Sequence, residues 1–372
     1  MLPELRFPFD RSRGRRYPEP AHPYRNPFQR DRDRVIHTRA FRRLEDKTQV
    51  FTPDLSDHFR NRLTHTLEVA QIARTVASAL GLDEDLTEAL ALSHDIGHPP
   101  FAHAGEEELD RQMRRHGDRF DHNLQALRIV ESLERRYIQF PGLNLTFEVR
   151  EGIAKHSRDF EPGEIPELDD YLPGLRPPLE AQLIDMADEA AYNTADVDDA
   201  YSAGLLDPAH LAASVPAYAG ILETVESQYP GATPRGQFQE SLRRLVDLLV
   251  SGLIEGTLGA ARESGVESVE DVREAPRLAR FTPSADEARS GIKAFLHRHV
   301  YHSPELLHER RRSTEMIAQL FDYFTTNPSA LPDNYRAESG SRPVHQVVCN
   351  YIAGMTDRFF HRTYEQVFTR RG

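Results

Sequence analysis

The chain has 372 residues, with 46 Lys and Arg against 59 Asp and Glu, so its formal charge of −13 excludes a protein that coats nucleic acid over its whole surface while leaving room for local basic patches. A single cysteine, Cys349, excludes a disulfide framework and a cysteine-based zinc site; with 17 histidines, any metal centre must be built from imidazole and carboxylate. No apolar run approaches the roughly 20 residues of a membrane span, and the start, MLPELRFPFDRSRGRRYPEP, lacks the apolar core of a secretory signal, so the expectation is a cytoplasmic protein with no membrane partner.

Residues 1–28 are rich in Arg and Pro without periodicity and read as an extended or partly ordered arm. Gln29–Thr48 is helical in pattern, with Val35, Ile36, Ala40, Phe41 and Leu44 as an apolar stripe among arginines. Residues 51–61 read as a loop, marked by Pro53, Asp54 and Asp57. Leu63–Leu80 is a helix stopped by Gly81, and Asp83 is placed to cap the next, which runs to His94. Glu106–Arg115, Asn123–Phe140 and the shorter Leu143–His156 follow. Residues 157–178 are a long Pro-, Gly- and acid-rich loop, and Leu179–Ala203 is a helix of unusual acidic density. Beyond Pro208 only amphipathic helices are visible, at Phe238–Leu258, Gly291–His299, Leu306–Thr325 and Val344–Val367. Alternating β-branched runs are scarce, and periodicity alone implies a mostly helical chain without internal repeats.

The chemistry concentrates in Ala91–Glu106, ALSHDIGHPPFAHAGE. His94 and Asp95 end an apolar run, Gly97, Pro99 and Pro100 break the helix at once, and His98 and His103 lie just beyond. Such a turn can hold a divalent cation with proton-transfer groups beside it. His65 shares a helical face with Val69, Ile72 and Val76, which leaves two readings open: a satisfied core histidine or a ligand. In QLIDMADEAAYNTADVDDA, Asp188, Tyr192 and Asp196 are spaced by four and share a face; Asp185 lies about 60° from it and Glu189 about 100°. Two carboxylates and a phenol pointing one way are costly unless cations or polar ligands meet them. The alternative, an exposed acidic face, is weakened by Ile184, Ala187, Ala190, Ala191 and Ala195. Two imidazoles and two carboxylates suit a labile divalent ion such as Mn, Mg, Fe or Zn, and ligand type does not select among them.

These residues together resemble the HD-domain phosphohydrolases, whose signature H…HD…D is here His65…His94-Asp95…Asp188. The segments YRNPFQRDRDRVIHTRAFRRLEDKTQVF, RNRLTHTLEVAQIAR, LSHDIGHPPFAHAGE, RFDHN, PGLNLTFEVREGIAKH and ADEAAYNTADVDDA are similar, in order, to the deoxynucleoside triphosphate triphosphohydrolases, the dGTPase family. The similarity covers roughly Tyr24 to Gly204 and, more weakly, the C-terminal helices. It implies an all-α fold: an HD-domain helical bundle with additional C-terminal helices, divided into the arm 1–28, a phosphohydrolase core 29–205 and a helical region 206–372 packed on the core.

The resemblance further implies hydrolysis of a dNTP to deoxynucleoside and inorganic triphosphate. Its metal ligands would be His65, His94, Asp95 and Asp188, holding Mn or Mg first, with Fe, Zn or Ni as alternatives. His103 matches the catalytic imidazole, Glu106 its carboxylate partner and His122 the histidine beside the α-phosphate. Arg62 and His98 match phosphate contacts, Asn123 and Gln49 further substrate contacts, and Tyr192 and Asp196 residues facing the sugar, Asp196 at the 3′-hydroxyl. Lys155 would add positive charge for the phosphates, against the reading of Lys155-His156 as a solvated helix end; His103 is open between catalysis and a turn role. Departures are Asp121 where Glu is common, Ala195 where His is common, and an acidic loop, 159–170, without counterpart. The relatives are homo-oligomers, often hexamers, with dNTP-responsive activity. The arginines between Arg11 and Arg43 fit either a helix face with local acidic partners or an anion site for a dNTP effector, a subunit interface or weakly held single-stranded nucleic acid. Two other functions remain open: a different HD phosphohydrolase, acting on nucleotide phosphomonoesters or phosphodiesters, and a nucleotide- or nucleic-acid-binding regulator.

Overall fold

The spacing of Val69, Ile72, Val76 and Leu80 is realised in the helix Arg62–Leu80, where all four side chains are buried. This computed structural model describes residues 1–50 and 59–368, so residues 51–58 of the expected loop lie outside the described range. Gly81, at φ +81°, ends that helix, and the Asp83 carboxylate accepts from Leu86 N at 2.9 Å to start the next, Glu84–Ser93. Among the described residues the regular structure is all helical, with only isolated β-bridges such as Arg15–Thr146 and Thr48–Asn61, and no helix is long and apolar enough to cross a membrane.

The chain folds as two compact units. One contains residues 1–34, 65–92 and 145–303, the other residues 35–64, 93–144 and 304–372. In the first, the helix Leu179–Ser202 is buried along most of its length and packs against Pro234–Ser264 and Pro283–His299. The N-terminal arm is stitched into this unit. Leu2, Leu5 and Phe7 are buried, Leu2 N donates to Leu80 O at 2.6 Å, and Phe7 N and Asp83 N both donate to Glu180 Oε1 at 2.9 and 3.1 Å. Arginines of the arm and its helix are ion-paired inside the unit: Arg15 with Asp31, Arg25 with Asp33, Arg30 and Arg34 with Glu19, Arg32 with Glu88. In the second unit, Ala102–Arg114, Pro304–Thr326, Val344–Ala353 and Asp357–Phe368 enclose a core that includes Leu109, Phe120, Ile317, Phe321, Val347, Ile352 and Phe360.

Three expected helices are divided, each for a local reason. Gln29–Thr48 becomes Pro27–Ile36 and Arg39–Arg43, because Thr38 Oγ1 caps a new helix at Phe41 N (2.9 Å). Asn123–Phe140 becomes His122–Arg128 followed by a π-helical turn, Ile129–Leu133; Leu143 N then returns to Val130 O at 2.7 Å. Val344–Val367 becomes Val344–Ala353 and Asp357–Phe368, with Gly354 capping the first. Four short helices escaped the sequence reading: Pro208–Ser214, Pro216–Gln228, Val269–Glu274 and Asp333–Glu338. Two carry proline at the first helical position and one a Ser268 cap, a signal legible without a long apolar stripe.

Candidate active site

The second unit carries the His94–Asp95 turn. His98 N donates to Asp95 O at 3.2 Å, closing the turn directly after the helix Glu84–Ser93, and His94, Asp95 and His98 are all buried. Asp95 is held by Arg62 Nη1, 2.8 Å from its Oδ2, and by His98 Nε2, 3.1 Å from its Oδ1. Burial works to raise the Asp95 carboxyl, but Arg62, His94 and His98 outweigh it and hold it well below the ordinary range. Burial and the Arg62 charge push His98 the other way, well below an ordinary imidazole, so that it stays neutral.

Gly97 lets the helix His122–Arg128 lie against this turn: a Cβ there would fall 2.0 Å from His122 O and 2.4 Å from Ala126 N. The His98 and His122 rings consequently stack, centroids 3.9 Å apart. Glu106 Oε1 accepts from His122 Nδ1 at 2.7 Å and from His122 N at 3.0 Å. His103 Nδ1 stands 3.9 Å from Glu106 Oε2, and its side chain is 66% exposed. The expected His103–Glu106 pair is therefore the looser of two, and His122 is the imidazole the carboxylate orients. Burial works to raise the Glu106 carboxyl, but the imidazoles of His103 and His122 beside it hold it well below the usual range. Asp121 caps the helix through Asn123 N (2.9 Å) and Leu124 N (3.1 Å). Asn123 is buried, as is Gln49, whose Oε1 meets no hydrogen-bond donor among the described residues. The donor atoms of His98, Glu106 and His122 lie within 4.8 Å of one another, a set that could hold an ion.

Two residues outside the sequence reading lock this turn. Lys47 is fully buried and donates from Nζ to His98 O (2.5 Å) and Ala353 O (3.1 Å). Asp357 accepts from Thr48 N at 2.9 Å and Phe101 N at 3.1 Å. They hold Phe101 and Ala102 in the left-handed region, φ 64° and 54°, strain of order 1 kcal/mol per residue that is placed between His98 and His103. Neither Lys47 nor Asp357 has a local signal, since each acts through a partner distant in sequence.

The first unit carries His65 and Asp188, whose Nε2 and Oδ1 are 2.8 Å apart. The shared face beyond Asp188 is real: Tyr192 lies beside Asp196, and Asp196 accepts a short hydrogen bond from the Tyr301 hydroxyl. Burial, with Asp199 nearby, pushes the Asp196 carboxyl up to about 7 despite that bond, and burial beside Asp196 keeps Tyr192 protonated. Tyr301 was invisible in the sequence, standing more than a hundred residues from Asp196. Asp185, off that face, is spent elsewhere: it accepts from Ser157 N at 2.9 Å, faces His156 Nδ1 at 2.6 Å and pairs with Arg277. Lys155 corrects the expectation of a phosphate contact. It is fully buried, and all three N–H donors are taken, by Glu151 Oε1 (2.9 Å), Leu172 O (2.8 Å) and Leu175 O (2.8 Å).

Comparison with known proteins identifies the family. Residues 62–193 match the HD domain and residues 279–366 the phosphohydrolase-associated domain. A deoxyguanosinetriphosphate triphosphohydrolase-like protein from Azoarcus sp. (strain BH72) is 44% identical over 358 residues, covering 96% of this chain and 94% of the relative. Proteins of the same name from Bordetella pertussis and from Caulobacter sp. (strain K31) are 43% and 45% identical, each again over 96% of this chain and 94% of the relative. The chain belongs to the HD-domain phosphohydrolases, in the group of deoxyguanosinetriphosphate triphosphohydrolase-like proteins, and is accordingly a metal-dependent phosphohydrolase.

Proposed function

We propose that this member of the HD family hydrolyses deoxynucleoside triphosphates, dGTP among them, to the deoxynucleoside and inorganic triphosphate. The observation that carries the reading is the Glu106–His122 hydrogen bond beside the stacked, neutral His98. Breaking the bond between the α-phosphorus and the 5′-oxygen requires an oriented water and a proton for a poor leaving group. A carboxylate that takes Nδ1–H makes the other ring nitrogen of His122, Nε2, the atom that exchanges that proton. His103, exposed at the edge of the same acid, is the second group able to move one.

The pairs His65–Asp188 and His94–Asp95 would supply the ligands of a divalent ion, Mn or Mg first and Fe, Zn or Ni as alternatives; two imidazoles and two carboxylates, with Asp95 held ionised, fit that group. Bound there, the ion contributes Lewis-acid polarisation of phosphate oxygens. Arg62 and His98 meet phosphate charge, while Gln49, Asn123, Tyr192 and Asp196 position the nucleoside, Asp196 with Tyr301 as its support. A protonated Asp196 can donate to a 3′-hydroxyl as well as accept from it. Activation by a second dNTP, assembly into a homo-oligomer (a hexamer first), weak binding of single-stranded nucleic acid and a cytoplasmic location belong to the same reading.

Product analysis tests it. Purified protein is incubated with each dNTP and Mn or Mg, with and without a second dNTP, and the products are resolved by chromatography. Deoxynucleoside plus tripolyphosphate, abolished by His94→Ala and Asp188→Ala, is expected. Deoxynucleoside mono- or diphosphate instead would move the reading to another HD phosphohydrolase. Bound dNTP without turnover under any pairing would make the protein a regulator.

A further inference from the structure

The second unit contains a cavity of about 330 Å³ that none of the residues assigned above lines. Its walls come from the helices Arg39–Arg43, His122–Arg128, Asp333–Glu338 and Val344–Ala353 and from the π-helical turn Ile129–Leu133. A π-helical turn is costly relative to an α-helical one and recurs at functional sites. Three guanidiniums, Arg39, Arg43 and Arg135, face two carboxylates, Glu134 and Glu338. Both carboxylates are engaged within the lining: Glu134 Oε1 accepts from Ala40 N at 2.9 Å, and Glu338 Oε1 pairs with Arg135 at 3.1 Å, which among the described residues leaves Arg39 and Arg43 without either.

Arg43 is half-buried, and among the described residues no carboxylate or hydrogen-bond acceptor pairs with its guanidinium. A cation in that position calls for an anion. A Cβ on Gly354 would lie 3.2 Å from Arg43 Nη1 and 3.4 Å from the Tyr335 hydroxyl oxygen, so two donors converge over a residue without a side chain. Across the lining, two acceptors lack donors among the described residues: Gln125 Oε1, on a side chain only 1% exposed, and Glu338 Oε2, both buried. Buried acceptors of this kind call for N–H or O–H groups.

We infer that this cavity binds a small phosphate monoester that carries N–H or O–H donors at its other end, a nucleoside monophosphate in chemistry and size. Arg43 and the Tyr335 hydroxyl take the phosphate, and Gln125 Oε1 and Glu338 Oε2 take the donors of the base or sugar. The volume is at the lower end for small-molecule sites, and one guanidinium in excess over the carboxylates matches a monophosphate better than a triphosphate. The inference stands apart from the dNTP hydrolysis proposed above, because it uses different residues and a binding readout.

The test is calorimetric titration of the full-length protein, in chelator and without dNTP, with guanosine 5′-monophosphate and separately with inorganic phosphate. Arg43→Gln should weaken both at least tenfold, and Arg43→Lys should restore part of the loss. Gln125→Leu, which keeps the volume of a buried side chain, should weaken the nucleotide several-fold and leave inorganic phosphate unchanged. Arg62→Gln, in the proposed catalytic site, should change neither. Nucleotide binding no tighter than phosphate binding overturns the inference. So does binding that survives both Arg43→Gln and Gln125→Leu, or binding that is lost in Arg62→Gln alone.

Discussion

Lys155 in one unit and Lys47 in the other are both buried lysines, and their surroundings differ in kind. Lys155 sits in a closed set: the Glu151 carboxylate, two carbonyls, and Arg273 on the same carboxylate at 2.8 Å. Burial lowers its pKa, and Glu151 offsets part of that. Among the described residues Lys47 donates to two carbonyls, with Arg43 and Arg62 nearby; burial and these charges, working against Asp357 and Asp95, pull it down to about 7. Burial alone says little about role: Lys155 is locked onto one carboxylate and the carbonyls around it, whereas Lys47 fastens the backbone of the turn that follows His94 and Asp95.

The widest gap between the two regions should appear in activity. Glu106→Gln weakens the hold on His122 and should cost about 10²–10⁴-fold in kcat, with the melting temperature little moved; a loss confined to KM would remove Glu106 from proton transfer. Lys155→Met should act the other way. It strips a cation from Glu151 and two carbonyls, and should destabilise by about 3 kcal/mol in urea titration. A stable Lys155→Met variant with an impaired KM would return Lys155 to the substrate.

Glu180 sharpens the comparison on the carboxylate side. Burial pushes it up to about 7 from an ordinary carboxyl, so between these values the folded state holds a proton that the unfolded state has lost. Its contribution to stability is present at low pH and is lost as pH rises through about 7. Glu180→Gln, which keeps an oxygen for Phe7 N and Asp83 N, should therefore gain on the natural protein by up to about 3 kcal/mol as pH is raised from 5 to 8. Parallel melting curves across that range would show that Glu180 is ionised throughout. The smallest effect is expected for Lys47→Met. The carbonyls of His98 and Ala353 lose a donor at about 1–2 kcal/mol, while kcat falls roughly tenfold as the turn loosens.

Much of the site was legible because its residues are neighbours in sequence or one helical turn apart. His94, Asp95 and His98 share one turn, and the four-residue spacing of Asp188, Tyr192 and Asp196 puts them on one face whatever packs against it. The same arithmetic set Asp185 aside, and it is indeed paired with His156 and Arg277. Helices with an apolar stripe and a cap, such as Arg62–Leu80 and Glu84–Ser93, were legible for the same reason. The divided helices were not. The break at Thr38 depends on its hydroxyl turning back to Phe41 N, the one at Gly354 on a backbone N–H closing on Asn350 O and Ile352 O, and the π-turn at Ile129–Leu133 leaves no periodic signature in five residues.

The sequence by itself determined an all-helical chain of the HD family and most of the side chains that could do its chemistry, because helical periodicity and a contiguous motif are local properties. Tertiary structure alone decided how those side chains are employed. Glu106 bonds His122 in preference to His103, Tyr301 supports Asp196, Lys47 fastens the turn, and Lys155 is consumed by Glu151 and two carbonyls. Each of these depends on which donors and acceptors remain unsatisfied when distant segments close around them, and hydrogen-bond valence is counted only in the folded state.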